Sequence, residues 1–144
     1  MTLLDVLAWS APHATGAIVY SPMASGLLSG SFTAARAAAL DEDDWVRRHP
    51  DFTGDALARN LALAEALGPI TSRHGVTVAA VAVAWTLAFP GVTGAIVGVR
   101  RAGQLDAWLS AASLALDDSD LTRIAEAIER TGAGSGPAQP ALPT

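Results

Sequence analysis

Two residue types are missing outright. The chain has no cysteine, which excludes a disulfide scaffold and any thiolate-held metal or iron–sulfur centre and fits a reducing compartment. It also has no lysine; all nine basic residues are arginine. Schiff-base chemistry, a P-loop lysine and a lysine-tuned tyrosine acid are therefore beyond this chain alone. Charge is scarce, at 16% of residues, and its balance is acidic, with a net charge of −5. That argues against nucleic acid, because phosphate backbones need a basic surface. No apolar run reaches the roughly 20 residues of a membrane span, and no secretory signal is legible at the N-terminus. The expectation is a cytoplasmic protein that meets neither membrane nor nucleic acid.

What remains is apolar. Hydrophobic residues make up 51% of the 144, much of it alanine, which reads as the coding bias of a GC-rich genome rather than membrane affinity. The length suits one domain with a real core. It falls far short of the roughly 250 residues of a closed eight-fold β/α barrel. His13, His49 and His74 are scattered, fit no metal-site spacing and read as surface residues. Asp41, Glu42, Asp43 and Asp44 read as a solvated acidic loop rather than a metal cluster.

Apolar periodicity predicts a short helix over residues 2–14, with Pro12 disfavouring its continuation. Gly16–Tyr20 is a β-branched and aromatic run ended by Pro22, which fits a parallel strand covered on both faces. A Gly/Ser-rich loop follows over residues 23–32, then a polar, irregular stretch to residue 54. Loops of that length are more often functional or mobile than accidental. Asp55 can cap a helix to Arg73 that buries Leu57, Leu61, Ala64, Leu67 and Ile70. Pro69 kinks it and Gly75 ends it. Thr77 caps a nearly all-apolar helix, 78–88, expected to be buried. Gly94–Gly98 reads as a second strand. Arg101–Ala112 reads as a helix with Leu105, Trp108 and Leu109 inward. Ser119 caps a last helix to Arg130, with Leu121, Ile124 and Ile128 on one face. The low-complexity residues 131–144 are expected to be a disordered tail. The alternation is that of an α/β fold with parallel connections. Two strands with open edges suggest part of a larger fold.

Two places can carry chemistry, and both follow a strand. In Ser21-Pro22-Met23-Ala24-Ser25-Gly26-Leu27-Leu28, small residues let a ligand approach the backbone, and N–H groups can face a pyrophosphate. The bland alternative is an ordinary Gly/Ser loop. In Gly98-Val99-Arg100-Arg101-Ala102-Gly103-Gln104, a helix start and two arginines can grip a phosphate. The alternative is a pair of solvated arginines.

The sequence also resembles the C-terminal part of the aldo-keto reductases. Four stretches carry the resemblance in the family's order. GAIVYSPMASGLLSG (16–30) is like the family's seventh strand and its YSPL-x-x-G-x-L loop. DFTGDALARNLALAEAL (51–67) comes next. HGVTVAAVAVAWTLAFP (74–90) is like the G-x-(T/S)-x-A-x-x-A-L-A-W helix. TGAIVGVRRAGQLDAWLSAA (93–112) is like the eighth strand and final barrel helix. The resemblance implies a partial (β/α)8 barrel over residues 1–130, beginning at about the sixth helix. It would hold the last two strands with their helices, plus a C-terminal helix.

It further implies NADP(H) as cofactor and a small carbonyl compound as substrate of the whole protein. Tyr20 would stack beside the nicotinamide. Ser21, Pro22, Met23, Ser25, Gly26 and Leu27 match the loop over the pyrophosphate and ribose. Gly98, Arg100 and Gln104, with Arg101 assisting, match the segment that holds the adenosine 2′-phosphate. Ala107 and Trp108 depart from the family's usual Glu and Asn beside the adenine; Trp108 is either a stacking residue there or a packing residue. The family's catalytic tetrad of Asp, Tyr, Lys and His comes from the first half of the barrel, so no catalytic residue is assigned here. The expectation is a cofactor-binding portion inactive alone. The other readings are a non-catalytic module that self-associates or docks on a barrel partner, and a small phospholigand-binding domain.

Overall fold

A computed structural model describes residues 3–141. The order is α1 (Leu3–Ser10), β1 (Ala17–Tyr20), α2 (Ala34–Ala38), α3 (Gly54–Ala66), α4 (Gly68–His74), α5 (Val78–Leu87), β2 (Val92–Ile96) and α6 (Asp118–Thr131), joined by short 3-10 turns. Among the described residues the sheet has two strands, and they run parallel, as the β/α alternation implies. Ile18 pairs with Gly94 and Tyr20 with Ile96. The register slips between Ala17 and Ile18, so that Thr93 is skipped. Thr93 Oγ1 donates to the Ala17 carbonyl at 3.3 Å. The same side chain explains Gly16: a Cβ there would lie 2.5 Å from Thr93 Oγ1.

The strands are not covered on both faces in this chain. Ala17 and Val19 are half-buried, whereas Ile18 and Tyr20 are 67% and 80% exposed. Ile96, opposite Tyr20, is exposed as well. α5 packs against β2, so alternate residues are covered and their neighbours are not.

α5 is the centre of the fold. Thr77 Oγ1 accepts from the Ala80 N–H at 3.0 Å, the expected cap. Residues 79–84 are all buried. One side of the helix joins Val81 to Leu67, Ile70 and Ile124; the other joins Ala80, Val83 and Ala84 to Ala111. Burial all round is why the segment has no polar face.

Several boundaries differ from the periodicity reading. The first helical segment comes in two pieces, because Pro12 opens a separate 3-10 turn over Ala11–His13. Thr53, in an extended conformation, takes the N-cap of α3, and Asp55 falls in the first turn, where its charge faces the helix's positive end. Pro69 does more than kink the helix: it sits at the start of α4, after a break at Leu67. Gly75 ends α4 in the left-handed conformation, φ +64°. The last helix is capped by Asp117 rather than Ser119. Asp117 Oδ1 accepts from the Asp120 N–H at 2.9 Å, and Asp120 Oδ2 accepts from the Asp117 N–H at 3.2 Å. That reciprocal box satisfies two otherwise orphaned donors. α6 ends at Gly132, and Ala133 is buried beside Leu63 and Ala127. Residues 142–144 of the expected tail lie outside the described residues.

The stretch 33–54 is not irregular throughout. It holds α2 and 3-10 turns at Trp45–Arg48 and Pro50–Phe52. Val46 and Phe52 form a small buried cluster with Leu27, a pairing across the loop that no local period reveals. Conversely, the helix expected over Arg101–Ala112 is absent. Only Ala102–Gln104 and Leu109–Ala112 form 3-10 turns, and Leu105 and Leu109 are exposed rather than inward. Gln104 Oε1 accepts from the N–H groups of Arg100 and Arg101, at 2.8 and 3.1 Å. A side chain that bonds locally in this way competes with the helical ladder. No helix among the described residues is long and apolar enough to cross a membrane.

Candidate functional site

The loops that leave the carboxyl ends of β1 and β2 enclose a cleft of about 570 Å3. One wall is Tyr20, Ser21, Pro22, Met23, Ser25 and Gly26; the facing wall is Ile96, Gly98, Val99, Arg100, Gln104, Ala107 and Trp108. The first wall is built from an unusual backbone. Ser21, Ala24 and Ser25 hold φ of 56°, 47° and 54°, and Gly26 holds 104°. Left-handed conformations in non-glycine residues cost on the order of 1 kcal/mol each. The tight turn is held by Ala24 N–H to the Ser21 carbonyl and Gly26 N–H to the Met23 carbonyl, both 3.0 Å. A Cβ added at Gly26 or Gly98 would meet nothing within 4 Å, so both glycines open onto free space.

Two of the residues expected at this site lie elsewhere. Leu27 is buried, 1% exposed, against Val46 and Phe52, and anchors the loop rather than lining the cleft. Arg101 is exposed outside the cleft, where its N–H is held by Gln104. The helix N-terminus expected beside the arginines is replaced by a three-residue 3-10 turn. Of the two arginines, Arg100 is the one that lines the cleft, and its guanidinium makes no ion pair or hydrogen bond among the described residues. Trp108 does both things open to it. It packs against the cluster of Ala80, Val83, Ala84 and Ala111, and it lines the cleft. Its indole Nε1 is buried and has no hydrogen-bond partner among the described residues.

A third wall is absent from the sequence reading. Ser29, Ser31, Phe32, Arg36, Asp44 and Trp45 line the far side. Their only advance signal was the length of the loop that carries them. Although the chain is acidic overall, the charged residues lining the cleft are two arginines, Arg36 and Arg100, and one carboxylate, Asp44. Asp44 Oδ1 is already occupied by the Val46 N–H at 3.0 Å. The cleft is thus suited to an anionic ligand with flat or apolar parts.

Away from the cleft, the buried Asp120 carboxylate takes Arg73 Nη1 at 2.8 Å and His74 Nε2 at 2.7 Å. His74, read as a surface residue, is therefore a half-buried structural partner, its side chain 20% exposed. Arg73 also donates to Asp117 at 2.5 Å, and that hydrogen bond, with the Asp120 N–H, holds the Asp117 carboxyl down to about 2. No group of three or more His, Asp or Glu among the described residues could hold a metal ion.

A parallel α/β arrangement with its cleft at the strand carboxyl ends is the geometry of β/α nucleotide-binding and barrel enzymes. Residues 3–129 match the model of the aldo/keto reductase family, and the chain belongs to that family. It is 28% identical over 128 residues to aldo-keto reductase YhdN of Bacillus subtilis (strain 168), covering 88% of this chain and 38% of that protein. It is 31% identical over 94 residues to a probable voltage-gated potassium channel subunit beta of Arabidopsis thaliana, covering 65% of this chain and 28% of that one. The glycerol dehydrogenase AKR11B4 from Gluconobacter oxydans shares the fold, with a TM-score of 0.80 at 23% identity over 92% of this chain and 39% of that one. The chain thus spans well under half the length of each of these relatives.

Proposed function

We propose that this chain is the C-terminal, cofactor-binding portion of an NADP(H)-dependent reductase. In this reading β1 and β2 are the last two strands of a (β/α)8 barrel, and the residues after the packed Ala133 are a tail. The supporting observation is the cleft. It lies between the two segments in which the family resemblance expects the dinucleotide, and its lining is cationic in an acidic chain. The open space over Gly26 and Gly98 and the unengaged Arg100 guanidinium fit such a ligand.

Within the cleft, Tyr20 offers its ring to the nicotinamide. Ser21, Pro22, Met23, Ser25 and Gly26 cradle the pyrophosphate and ribose, with Leu27 holding that loop in place. Gly98, Arg100 and Gln104 form the adenosine 2′-phosphate end, with Gln104 shaping the Arg100–Arg101 backbone. When bound, the nicotinamide supplies the hydride that reduces a small carbonyl substrate. A lysine-tuned tyrosine acid of the family's kind cannot come from this chain alone, which has no lysine and whose only tyrosine is Tyr20, read here as the nicotinamide's stacking partner. The Asp/Tyr/Lys/His tetrad is therefore contributed from outside these residues, and the chain by itself is inactive. A cytoplasmic location fits the absence of cysteine.

The test is thermal stabilisation of the 144-residue chain by NADPH, NADH and 2′-phosphoadenosine. NADPH and 2′-phosphoadenosine should raise Tm and NADH should do so less; equal effects of NADPH and NADH remove the role given to Arg100. NADPH oxidation with a carbonyl substrate that scales with pure chain concentration would contradict inactivity.

A second reading is favoured by the exposed sheet face of Ile18, Tyr20 and Ile96. In it the chain is an assembly module that pairs with itself or docks on a barrel partner, covering that face. Sedimentation of the pure chain separates the two: a stable stoichiometric oligomer supports assembly, and a monomer that binds NADPH removes it.

A further inference from the structure

The arginines differ in what their guanidinium groups are engaged with. Arg73 is tied to Asp117 and Asp120. Arg47 and Arg48 donate to the Leu40 and Glu42 carbonyls at 3.2 and 3.0 Å. All three guanidinium groups are engaged within the chain. Arg36 does not: its guanidinium makes no ion pair or hydrogen bond among the described residues, and it stands in the third wall of the cleft. Its Cζ lies 5.7 Å over the Phe32 ring. Phe32 meets the buried Phe52 edge-on at 5.2 Å. Thr33 Oγ1 accepts from the Arg36 N–H at 3.1 Å and fixes the backbone. A cation with five unspent donors is thus seated on an aromatic base at the edge of a ligand-sized space.

Arg36 and Arg100 reach the cleft from different segments. Arg100 follows β2. Arg36 belongs to the chain that follows β1, the same stretch that builds the left-handed turn of Ser21–Gly26. We propose that Arg36 is a second anion contact of this cleft and takes the pyrophosphate of the dinucleotide, while Arg100 takes the 2′-phosphate. This rests on the cofactor reading above. Asp44, the carboxylate of the cleft, makes no ion pair with Arg36; its Oδ1 accepts from the Val46 N–H.

Titration calorimetry of the 144-residue chain with ADP, adenosine 2′-monophosphate and NADPH tests the division. ADP carries a pyrophosphate and no 2′-phosphate; adenosine 2′-monophosphate is the reverse. Arg36→Gln should weaken ADP and NADPH about tenfold, the scale of one charge-assisted hydrogen bond, and leave adenosine 2′-monophosphate within about twofold. Arg36→Lys should restore part of the ADP affinity. Arg100→Gln should show the opposite selectivity. Unchanged ADP affinity in Arg36→Gln, or equal loss for both mononucleotides, overturns the proposal while leaving the cofactor reading standing. Failure of the unsubstituted chain to bind any of the three overturns both. Because Arg36 is exposed, the variant's melting curve should match the parent's.

Discussion

His74 Nε2 lies 2.7 Å from Oδ2 of Asp120, a carboxylate with 1% of its side chain exposed. A carboxylate only accepts, so His74 Nε2 carries the proton of this bond. The contact joins the last residue of α4 to the first turn of α6, and Arg73 Nη1 bonds the other oxygen of the same carboxylate.

Asp120 should therefore matter more to stability than its place in an amphipathic helix suggests. Asp120→Ala removes the acceptor for Arg73, for His74 and for the Asp117 N–H, and should cost about 2–3 kcal/mol in urea unfolding. Asp120→Asn keeps the shape and should cost less. A loss below about 0.5 kcal/mol would place the link between α4 and α6 elsewhere.

Asp117 carries an acid dependence. Its carboxyl is held down to about 2, first by the Arg73 hydrogen bond and then by the Asp120 N–H. A carboxyl depressed in the folded state contributes stability that is fully present above its unfolded value. That contribution is lost as pH falls through the folded value. Stability should fall between pH of about 4 and about 2, and Asp117→Asn should flatten that part of the profile. Parallel profiles for parent and variant would refute the assignment.

Gly16 is where the strand register leaves no room. Gly16→Ala should destabilise by about 1–3 kcal/mol, since the new Cβ meets a rigid β-branched side chain. Thr93→Ala in the same chain should recover most of that loss, because it removes Thr93 Oγ1 and Cγ2, the two nearest atoms. Thermal melts of the two single variants and the double variant give the coupling directly.

Thr77 ties the central helix to the cleft. Its Oγ1 accepts from the Ala80 N–H and donates to the Ala107 carbonyl. Thr77→Ala should cost about 1 kcal/mol through the lost cap and should also speed amide exchange over residues 102–108. Thr77→Ser should restore both. A change in stability without a change in exchange would show that the cap alone matters.

The two walls of the cleft that follow the strands were legible because their chemistry is local. Small residues after a β-branched run, and arginines after a second, announce themselves within a few positions. The wall of Phe32, Arg36 and Trp45 was not legible. It reaches the cleft because Val46 and Phe52 fold back onto Leu27, a contact between residues far apart in sequence that have no common period. The same contact turned Leu27, expected at the ligand, into the anchor of the loop.

Legible along the chain were the helix end at Gly75, the helix start at Thr77, the apolar central helix, the presence of two short strands and the family; Pro69 read as a kink inside one helix, where the structure starts a new one. Each depends on a residue's own backbone preference or on a pattern repeated along one element. Local side-chain bonds that propensity does not rank decided that Asp117 rather than Ser119 caps α6 and that residues 101–112 form turns instead of a helix, and contact between distant elements decided that His74 is held by a buried carboxylate. In those places side chains had competing local partners of similar strength. Contacts from distant elements, or a glutamine bonding its own turn, tipped a balance that propensity left nearly even.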